Sequence, residues 1–446
     1  MIEKKLWPTG YNFFSNIENL HISKLYENIV SYFTDDGKYE TQVLTPEKIL
    51  INTGDQTTRI SISSNDGAFE EISAQANEIL KEAFSVSGEK IDRVKKEELY
   101  SVLSARSVYL SYGRNYSLQL FNELLGNSDS LAKLTECEFS DVVISYSSSI
   151  TKSSVYIADF DNDDYYRFNI TKSTDKLSSL CDDRVQKSSQ NGENVINYSF
   201  DLKFDQPFGV QKTTLNPLIQ IYSTTPQMPV VEAVNPITEG EEDINETIID
   251  NILRVFNINA STMRRYTEEG GTMVFVENNG VLKIDRSGFL EYTAIDSGIE
   301  LSSDGREYSN IINTAAIAAK INKAIGNNDA MCLSQSENDG TLTFDYMASG
   351  TKVVVASGKI SAGAEAQIEN GELKSYRQLI RRYSVKSDMS APSEFLTALD
   401  NAIAKYSEFM NEINIEKMFI AYTDNGSDAD LYADWVVKVD NVVAGE

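Results

Sequence analysis

Residues 341–385 constrain the fold more than any other stretch, because short runs of β-branched and aromatic side chains alternate there with turn residues. Two such runs, 341–347 and 352–356, are separated by a Ser-Gly pair, and a later run, 373–385, follows Asn370-Gly371. Asn-Gly readily supplies the positive φ angles that a two-residue hairpin turn requires. The stretch therefore predicts an antiparallel β-meander with a tight turn at Asn370-Gly371, and it contains no catalytic pattern.

A shorter series of the same kind lies earlier, with three strand-like runs between residues 273 and 294. Each series follows a helical pattern. Residues 247–256 and 311–325 repeat apolar side chains at helical spacing, the second behind Ser309 as a candidate N-cap. An isolated meander is only marginally stable in water, so a helix across one face meets a physical requirement. The C-terminal half is predicted to hold two similar units, each a helix packed on an antiparallel meander.

The N-terminal half has the pattern of a mixed α/β region. Two strand patterns between residues 43 and 63 precede an amphipathic helix that begins at Asp66 or Gly67. After further helical segments, residues 138–170 alternate in the way that is typical of β-strands. Residues 171–194 are polar and rich in turn residues, so that we expect a loop there, and residues 197–204 predict another strand.

A junction between domains is predicted where prolines concentrate. Five of the eight prolines fall between residues 207 and 236, and an acidic run follows at 239–243. Proline interrupts regular elements and stiffens connections, which favours a junction over an internal strand. Because 446 residues exceed what one core usually organises, we predict a multidomain α+β protein. The expected domains are an N-terminal α/β domain at 1–205 and helix-plus-sheet domains at 206–305 and 306–446.

The charge balance narrows the class of partner. The chain has 67 acidic and 40 basic residues, which gives a formal net charge of −27. Proteins that bind nucleic acid draw most of their affinity from Lys and Arg that neutralise phosphates, so a nucleic-acid partner is not expected. We interpret the acidity as a solvated surface rather than as an acidic binding site.

Cysteine usage and hydropathy exclude further classes. Cys137, Cys181 and Cys332 lie far apart and form no CxxC pair, which argues against a zinc site or a redox dithiol. Three free thiols are the simpler interpretation, and a disulfide between Cys137 and Cys181 stays open. No run approaches the roughly 20 apolar residues of a membrane helix. Residues 1–14 are too short and too polar for a signal peptide.

The sequence patterns of common catalytic sites are missing. No acidic residue or nucleophile near the single histidine, His21, forms a recognised catalytic pattern with it, and there is no GxSxG elbow, phosphate-binding loop or GxGxxG motif. Two acidic turns, 161–164 and 424–430, do not match the EF-hand pattern, and Asp and Asn cap such turns without a metal. A hydrolase with a carboxylate pair stays open, because acidic residues are plentiful. We predict no catalytic residue, metal or cofactor.

Arg377, Arg381 and Arg382 form the one basic cluster of note on this acidic chain. On a continuous strand the first two would share a face, and Arg382 would point to the other side. The cluster is a candidate contact for an anion or a protein partner. The alternative is an exposed strand face that is kept soluble by its charge.

Several strand and turn patterns resemble the YycH/YycI family of regulatory proteins. They are YTEEGGTMVFVENNGVLKIDRSGFLEYTA at 266–294, TLTFDYMASGTKVVV at 341–355, NGELKSYRQLIRRYSV at 370–385 and the ending MFIAYTDNGSDADLYADWVVKV at 418–439. The N-terminal half, with runs such as VVISYSSS and SVYIADF, is similar to the additional domain that distinguishes YycH from the shorter YycI. The resemblance thus covers most of the chain.

The resemblance implies a non-enzymatic accessory protein of a two-component system in Gram-positive bacteria. Such a protein regulates a membrane sensor histidine kinase that controls cell-wall homeostasis, and it acts through protein–protein contact. The expected location is the extracytoplasmic face of the membrane, with an N-terminal membrane helix that this chain lacks as anchor. A related accessory protein is a further candidate partner. The alternative function is an extracytoplasmic binding module for a cell-wall or peptide ligand.

Overall fold

The computed structural model describes residues 43–55, 59–85, 91–127, 137–146, 153–160, 163–191, 195–238, 244–259, 261–277, 280–302, 305–327, 331–336 and 340–440. His21, the acidic run 239–243 and the first half of the acidic turn 161–164 lie outside these residues. The described elements form an N-terminal α/β region, a short connecting region and a long sheet with its own helices.

Within the described residues, seven antiparallel strands form the N-terminal sheet. They are β1 Lys48–Thr53, β2 Arg59–Ile62, β3 Ile91–Val94, β4 Arg106–Ser117, β5 Glu138–Ser145, β6 Ser153–Asp159 and β7 Asp164–Ile170, in the order β2-β1-β4-β5-β6-β7-β3. In β1, Ile49 and Ile51 face one layer of the core and Leu50 faces the other. The strand is apolar on both faces because both faces of the sheet are covered.

Helices supply both covering layers of the N-terminal sheet. They are α1 Gly67–Phe84, α2 Lys96–Leu103, α3 Leu118–Leu124 and α4 Asp175–Asn191. Buried residues of α1 and α4 share one core with Ile49 and Ile51, and α2 packs on the Leu50 side. The predicted start of α1 is confirmed, since the Asp66 carboxylate accepts a hydrogen bond from the Ala68 amide at 2.9 Å.

The prediction of a loop at 171–194 is wrong, because most of that segment is helix α4. Only two of the described side chains that this segment buries, Leu177 and Cys181, are apolar. The others are Thr174, Ser178 and Ser188. Small hydroxyl side chains occupy buried positions that are Leu or Ile in a typical amphipathic helix, so the apolar periodicity that indicates a helix is weak here. The helical period is present but is carried mainly by Ser and Thr.

The connecting region contains β8 Ile196–Tyr198, a 3₁₀-helix Ser199–Leu202, β9 Thr214–Leu215, β10 Gln220–Tyr222 and β11 Met228–Val234. The strand predicted at 197–204 therefore ends early. The Asp201 carboxylate accepts a hydrogen bond from the Tyr198 amide at 2.8 Å and pairs with buried Arg59 at 2.6 Å, which favours the tight turn.

Three described helices and the remaining strands make up the C-terminal half. The elements are α5 Glu246–Val255, β12 Arg264–Thr267, β13 Met273–Glu277, β14 Gly280–Ile284, β15 Phe289–Ala294, β16 Ile299–Glu300, α6 Glu307–Ala324, β17 Cys332–Ser336, β18 Thr341–Ala348, β19 Thr351–Val355, β20 Ala364–Glu369, β21 Glu372–Leu379, β22 Arg382–Ser390, α7 Phe395–Tyr406, β23 Asn414–Asp424, β24 Ala429–Leu431 and β25 Asp434–Val439. Helix α6 begins at Glu307 with Arg306 at the N-cap position, so the prediction of Ser309 as N-cap is wrong.

Most of these strands join one long sheet. The order of its described strands is β12-β13-β14-β15-β21-β20-β18-β19-β23-β25, with β16 on β21, β17 on β18 and β9 on β23. The two predicted strand series meet where β15 pairs with β21, and Phe256 stacks there on Tyr292 and packs edge-on against Tyr376. The meander predicted at 341–385 is wrong in its pairing, because β20 pairs with β18 rather than with β19, and β22 pairs with β11 in another sheet. Apolar faces of α5 and α6 complete this core, and the predicted α+β class is confirmed.

A small sheet with the described order β22-β11-β24 lies beside the long sheet. Its central strand, β11, falls in the proline-rich interval, which the sequence predicted to be a junction without an internal strand. Pro229 lies in β11 at a break in the register with β22, the kind of irregular position where a strand tolerates proline.

The predicted turn at Asn370-Gly371 is confirmed. It connects β20 to β21, and φ is +52° at Asn370 and +78° at Gly371. The Gly371 carbonyl also accepts hydrogen bonds from the amides of Leu301 and Ser302 at 2.8 and 3.0 Å. A Cβ atom at position 371 would lie 2.4 Å from the Ser302 carbonyl oxygen, so that glycine is required both by the backbone angle and by the close approach.

We expect Gly371→Ala to destabilise the protein by two separate effects. The left-handed conformation costs an alanine about 1–2 kcal/mol, and displacement of the Ser302 backbone adds about 1–3 kcal/mol. Gly358→Ala is the matched control, because φ is +75° and no atom lies within 4 Å of its Cβ position. Urea unfolding of the two variants measures the difference. Equal losses would show that the contact with Ser302 has no energetic effect.

Candidate functional site

A cleft of about 440 Å³ lies between the N-terminal sheet and the part of the long sheet around β19 and β23. One wall comes from β1 and β2 together with the adjoining residues Glu47, Ser63 and Asp66. The other wall comes from the β18–β19 hairpin, β23 and Trp435. The connecting region supplies Gln220 and Tyr222. Ligand sites occur preferentially at such junctions of structural units, where two surfaces form a concave site.

The β18–β19 hairpin closes one side of this cleft. Its two turn residues have positive φ, +52° at Ser349 and +72° at Gly350. The turn reaches the N-terminal region, because Asn65 Nδ2 donates a hydrogen bond to Ser349 Oγ at 3.1 Å and a Cβ at Gly350 would lie 2.8 Å from Ser64 Oγ. The Ser-Gly pair that the sequence marked as a turn therefore also makes a contact between distant parts of the chain.

A nearly buried ion cluster joins the two walls. The Lys352 ammonium lies 3.3 Å from Glu47 Oε1 and 2.7 Å from Asp345 Oδ2. Burial alone would raise the pKa of Glu47, but Lys352, and then Lys48 and Lys417, hold that pKa below its usual value. For Lys352, burial acts to lower the pKa, and the carboxylates of Glu47 and Asp345 raise it overall. The cluster is therefore charged at neutral pH.

The predicted basic cluster is not a single surface. Arg377 on β21 is 43% exposed and forms an ion pair with Glu365 at 2.5 Å. Arg382 begins β22, opposite Val234 of β11. Arg381 lies in the short link between β21 and β22, and its side chain is 0% exposed. Because the strand is interrupted at this link, Arg377 and Arg381 do not share a strand face, and Arg381 does not present its guanidinium group to a partner.

Arg381 is bound inside the acidic turn 424–430. Its guanidinium group donates to Asp424 Oδ2 at 2.9 Å, to Asp428 Oδ1 at 2.8 Å and to the Ser427 carbonyl at 2.6 Å. Asp424 is also fully buried and accepts a further hydrogen bond from Tyr383 Oη at 2.9 Å. The Arg381 side chain thus satisfies hydrogen-bond acceptors of this turn. The sequence predicted that the turn is capped only by its own Asp and Asn residues. The apolar neighbours Leu379 and Ile380 are the sequence signal that this arginine is buried.

The described residues bear on three further kinds of chemistry, which are metal binding, disulfide formation and membrane insertion. In that part of the chain no group of three or more His, Cys, Asp and Glu side chains is arranged to hold a metal. All three cysteines are free, so Cys137 and Cys181 are not paired, and burial raises the pKa of each of these two thiols to about 12. No described helix is both long enough and apolar enough to cross a bilayer.

Comparison with known proteins places the fold. No family model matches the chain, and no curated protein does. Among solved structures, YycH from Bacillus subtilis aligns over 90% of this chain and 95% of its own, with a TM-score of 0.59 and 13% identity. An uncharacterized protein from Eubacterium rectale aligns over 52% of this chain and 85% of its own, but its TM-score of 0.29, at 12% identity, is too low to support an argument. The chain therefore has the YycH fold, as its sequence patterns predicted.

We expect Arg381→Met to lower the free energy of unfolding by about 3–5 kcal/mol, because it leaves the buried Asp424 carboxylate without its cation. Urea unfolding measures the change. Arg377→Met removes an exposed arginine from an ion pair and is the matched control, with an expected loss of about 0–1 kcal/mol. A loss in Arg381→Met no larger than in the control would contradict the structural role given to this arginine.

We expect Glu47→Gln to change the acid dependence of stability. The folded state lowers the pKa of Glu47, so its ionisation stabilises folding fully above the usual value of 4.5 and this contribution disappears as the pH falls through the lower folded value. The melting temperature of the native protein should therefore exceed that of Glu47→Gln at pH 7, and the two curves should converge in acid. Glu412→Gln, at an exposed carboxylate, is the control. A constant difference at every pH would refute this assignment.

Proposed function

We propose that this chain is a non-enzymatic accessory protein that regulates a membrane sensor histidine kinase by protein–protein contact. The observation that carries the proposal is the fold shared with YycH along nearly the whole length of both chains. The regulatory role comes from the resemblance of the sequence to the YycH/YycI family. The proposed place of action is the extracytoplasmic face of the membrane, with an N-terminal helix as anchor and cell-wall homeostasis as the process under control.

We propose the small sheet and its neighbourhood as the contact surface for the kinase. Strand β22 pairs only with β11 among the described strands, and on its other edge the Tyr383 amide donates to Asn327 Oδ1 at 3.2 Å. The rest of that edge has no described strand partner and could pair with a strand of the kinase. Val385 and Met389 on β22 are each 55% exposed, which is unusual for large apolar side chains on a strand. Arg382 begins this strand, and Arg377 lies on the preceding one. Buried Arg381 contributes indirectly, because it fixes the link between the two strands.

The proposal predicts that a photo-crosslinking residue at position 385 or 389 captures a histidine kinase in the native membrane. The full-length tagged protein would be irradiated in its own cells, and the adducts would be identified by mass spectrometry. A crosslinker at Val210, which is 91% exposed on a different part of the chain, is the matched control. Kinase adducts from β22 and none from position 210 would support both the function and the surface.

The outcomes of this experiment separate the function from the surface. Kinase adducts from position 210 alone would keep the regulatory function and exclude β22 as the contact. No kinase adduct from any of the three positions, together with no kinase in a general crosslinking pull-down, would overturn the regulatory function.

A second function is favoured by the cleft between the N-terminal sheet and the long sheet. We propose that the cleft binds a small extracytoplasmic ligand, the alternative that the sequence left open. The two functions are compatible, because a ligand held between two parts of a protein changes the population of their relative arrangements whenever it binds one arrangement better.

A further inference from the structure

One cation in the cleft, Lys48, forms no direct ion pair with a described residue. Lys48 lies on β1 and lines the cleft, and its ammonium lies 5.4 Å from the centre of the Phe419 ring. Among the described residues it forms no ion pair and no hydrogen bond, and the neighbouring Glu47 carboxylate contacts Lys352 instead. Burial lowers the pKa of Lys48, and the carboxylates of Glu47 and Asp141 only partly oppose this shift. An anion at this position would compensate a poorly solvated charge.

A second unpartnered group lines the same cleft. Gln220 on β10 is only 6% exposed, and its Oε1 atom has no hydrogen-bond partner in the part of the chain that the structure describes. A buried amide without a partner is uncommon in native proteins, because an unmade hydrogen bond costs free energy. Since the amide oxygen and nitrogen can exchange places by rotation, Gln220 can accept from or donate to a ligand.

The rest of the cleft is suited to an apolar group. The rings of Tyr222 and Trp435 lie 6.3 Å apart, and Trp435 is oriented by a hydrogen bond from its Nε1 to the Ser393 carbonyl at 2.9 Å. Met347 and Met418 also line the cleft. Methionine adapts to irregular apolar shapes and makes favourable contacts with aromatic rings, so these walls suit hydrocarbon side chains.

The charges of the cleft favour one negative charge over two. Its other two cations are already paired, Lys352 with Glu47 and Asp345, and Arg184 with Asp66 at 2.6 Å. Two carboxylates of these pairs, Glu47 and Asp66, also line the cleft. A doubly charged phosphate would face these carboxylates with one unpaired ammonium, whereas a single carboxylate matches Lys48 alone.

We propose that the cleft binds a small organic carboxylate that carries an N–H or O–H donor and an apolar group, of which a short peptide with a free C-terminal carboxylate is the simplest example. Lys48 would hold the carboxylate, Gln220 the N–H or O–H group, and the Tyr222–Trp435 wall the apolar group. The volume of about 440 Å³ falls within the usual range of small-molecule sites. This inference names the ligand class for the second function proposed above and rests on it.

The test uses a panel of N-acetylated dipeptides with aliphatic and aromatic side chains, each as the free acid and as the C-terminal amide. Trp7 and Trp435 are the two tryptophans of the chain, so a Trp7→Phe variant makes Trp435 the only fluorescent indole. We expect acids to change its emission in a saturable way and amides to bind about tenfold more weakly or worse, because they lose the charged hydrogen bond.

Two variants and a matched control test the assignment in this background. Lys48→Met and Gln220→Met should each weaken binding of the best acid, and Lys48→Met should remove the preference for acid over amide. Lys417→Met removes a charge that acts on the same ion cluster but does not line the cleft, so its affinity should stay close to that of the parent. Circular dichroism checks that each variant is folded.

The possible failures are distinguishable. If acids and amides bind equally well, or Lys48→Met keeps the acid preference, the ligand class is wrong and the cleft remains a binding site. If neither acids nor amides bind up to their solubility limits, the inference is overturned, and wall fragments without a carboxylate then test the second function alone. Neither result bears on the contact with a kinase, which the crosslinking experiment measures separately.

Discussion

The ion network around Arg381 is the interaction on which the arrangement of the C-terminal half depends. One buried guanidinium group connects the link between β21 and β22 with the turn that follows β23. Asp428 also accepts a hydrogen bond from the Asn235 amide at 2.7 Å, just after the end of β11. Strands from three distant parts of the sequence therefore meet at one cation, and its burial makes the removal of either sign of charge costly.

A similar device joins the N-terminal region to the long sheet. Glu47, Lys352 and Asp345 form a nearly buried cluster, and a Cβ at Gly113 would lie 2.2 Å from the Glu47 carboxyl carbon. The two clusters differ in what they leave unsatisfied. Every charge of the Arg381 network forms a direct ion pair, whereas the Lys48 ammonium beside the second cluster forms none among the described residues. Complete pairing is typical of a structural network, and incomplete pairing at a cleft indicates a place for a ligand.

The parts of the fold that local chemistry controls could be predicted from the sequence. The turn at Asn370-Gly371 followed from backbone angles that few residue pairs adopt, and α1 followed from the regular spacing of its apolar side chains. Helix α4 escaped prediction because its buried stripe contains hydroxyl groups, which are as common on exposed faces. For the candidate site, the sequence showed the basic cluster, and only the apolar neighbours Leu379 and Ile380 indicated that Arg381 is buried. Lys48 and Gln220 gave no signal.

The sequence by itself determined the α+β class, the two series of strands with their helices and the turn at Asn370-Gly371, because these depend on residues that are close together along the chain. It also contained the patterns that resemble YycH, the fold that the structure shares. Only the tertiary structure decided that the two series of strands join at β15 and β21, that β11 pairs with β22 and β24, and which charges are buried. The physical reason is that pairing and desolvation depend on groups that lie far apart along the chain, from 43 residues for Arg381 and Asp424 to 305 for Glu47 and Lys352, and no local pattern specifies their distance.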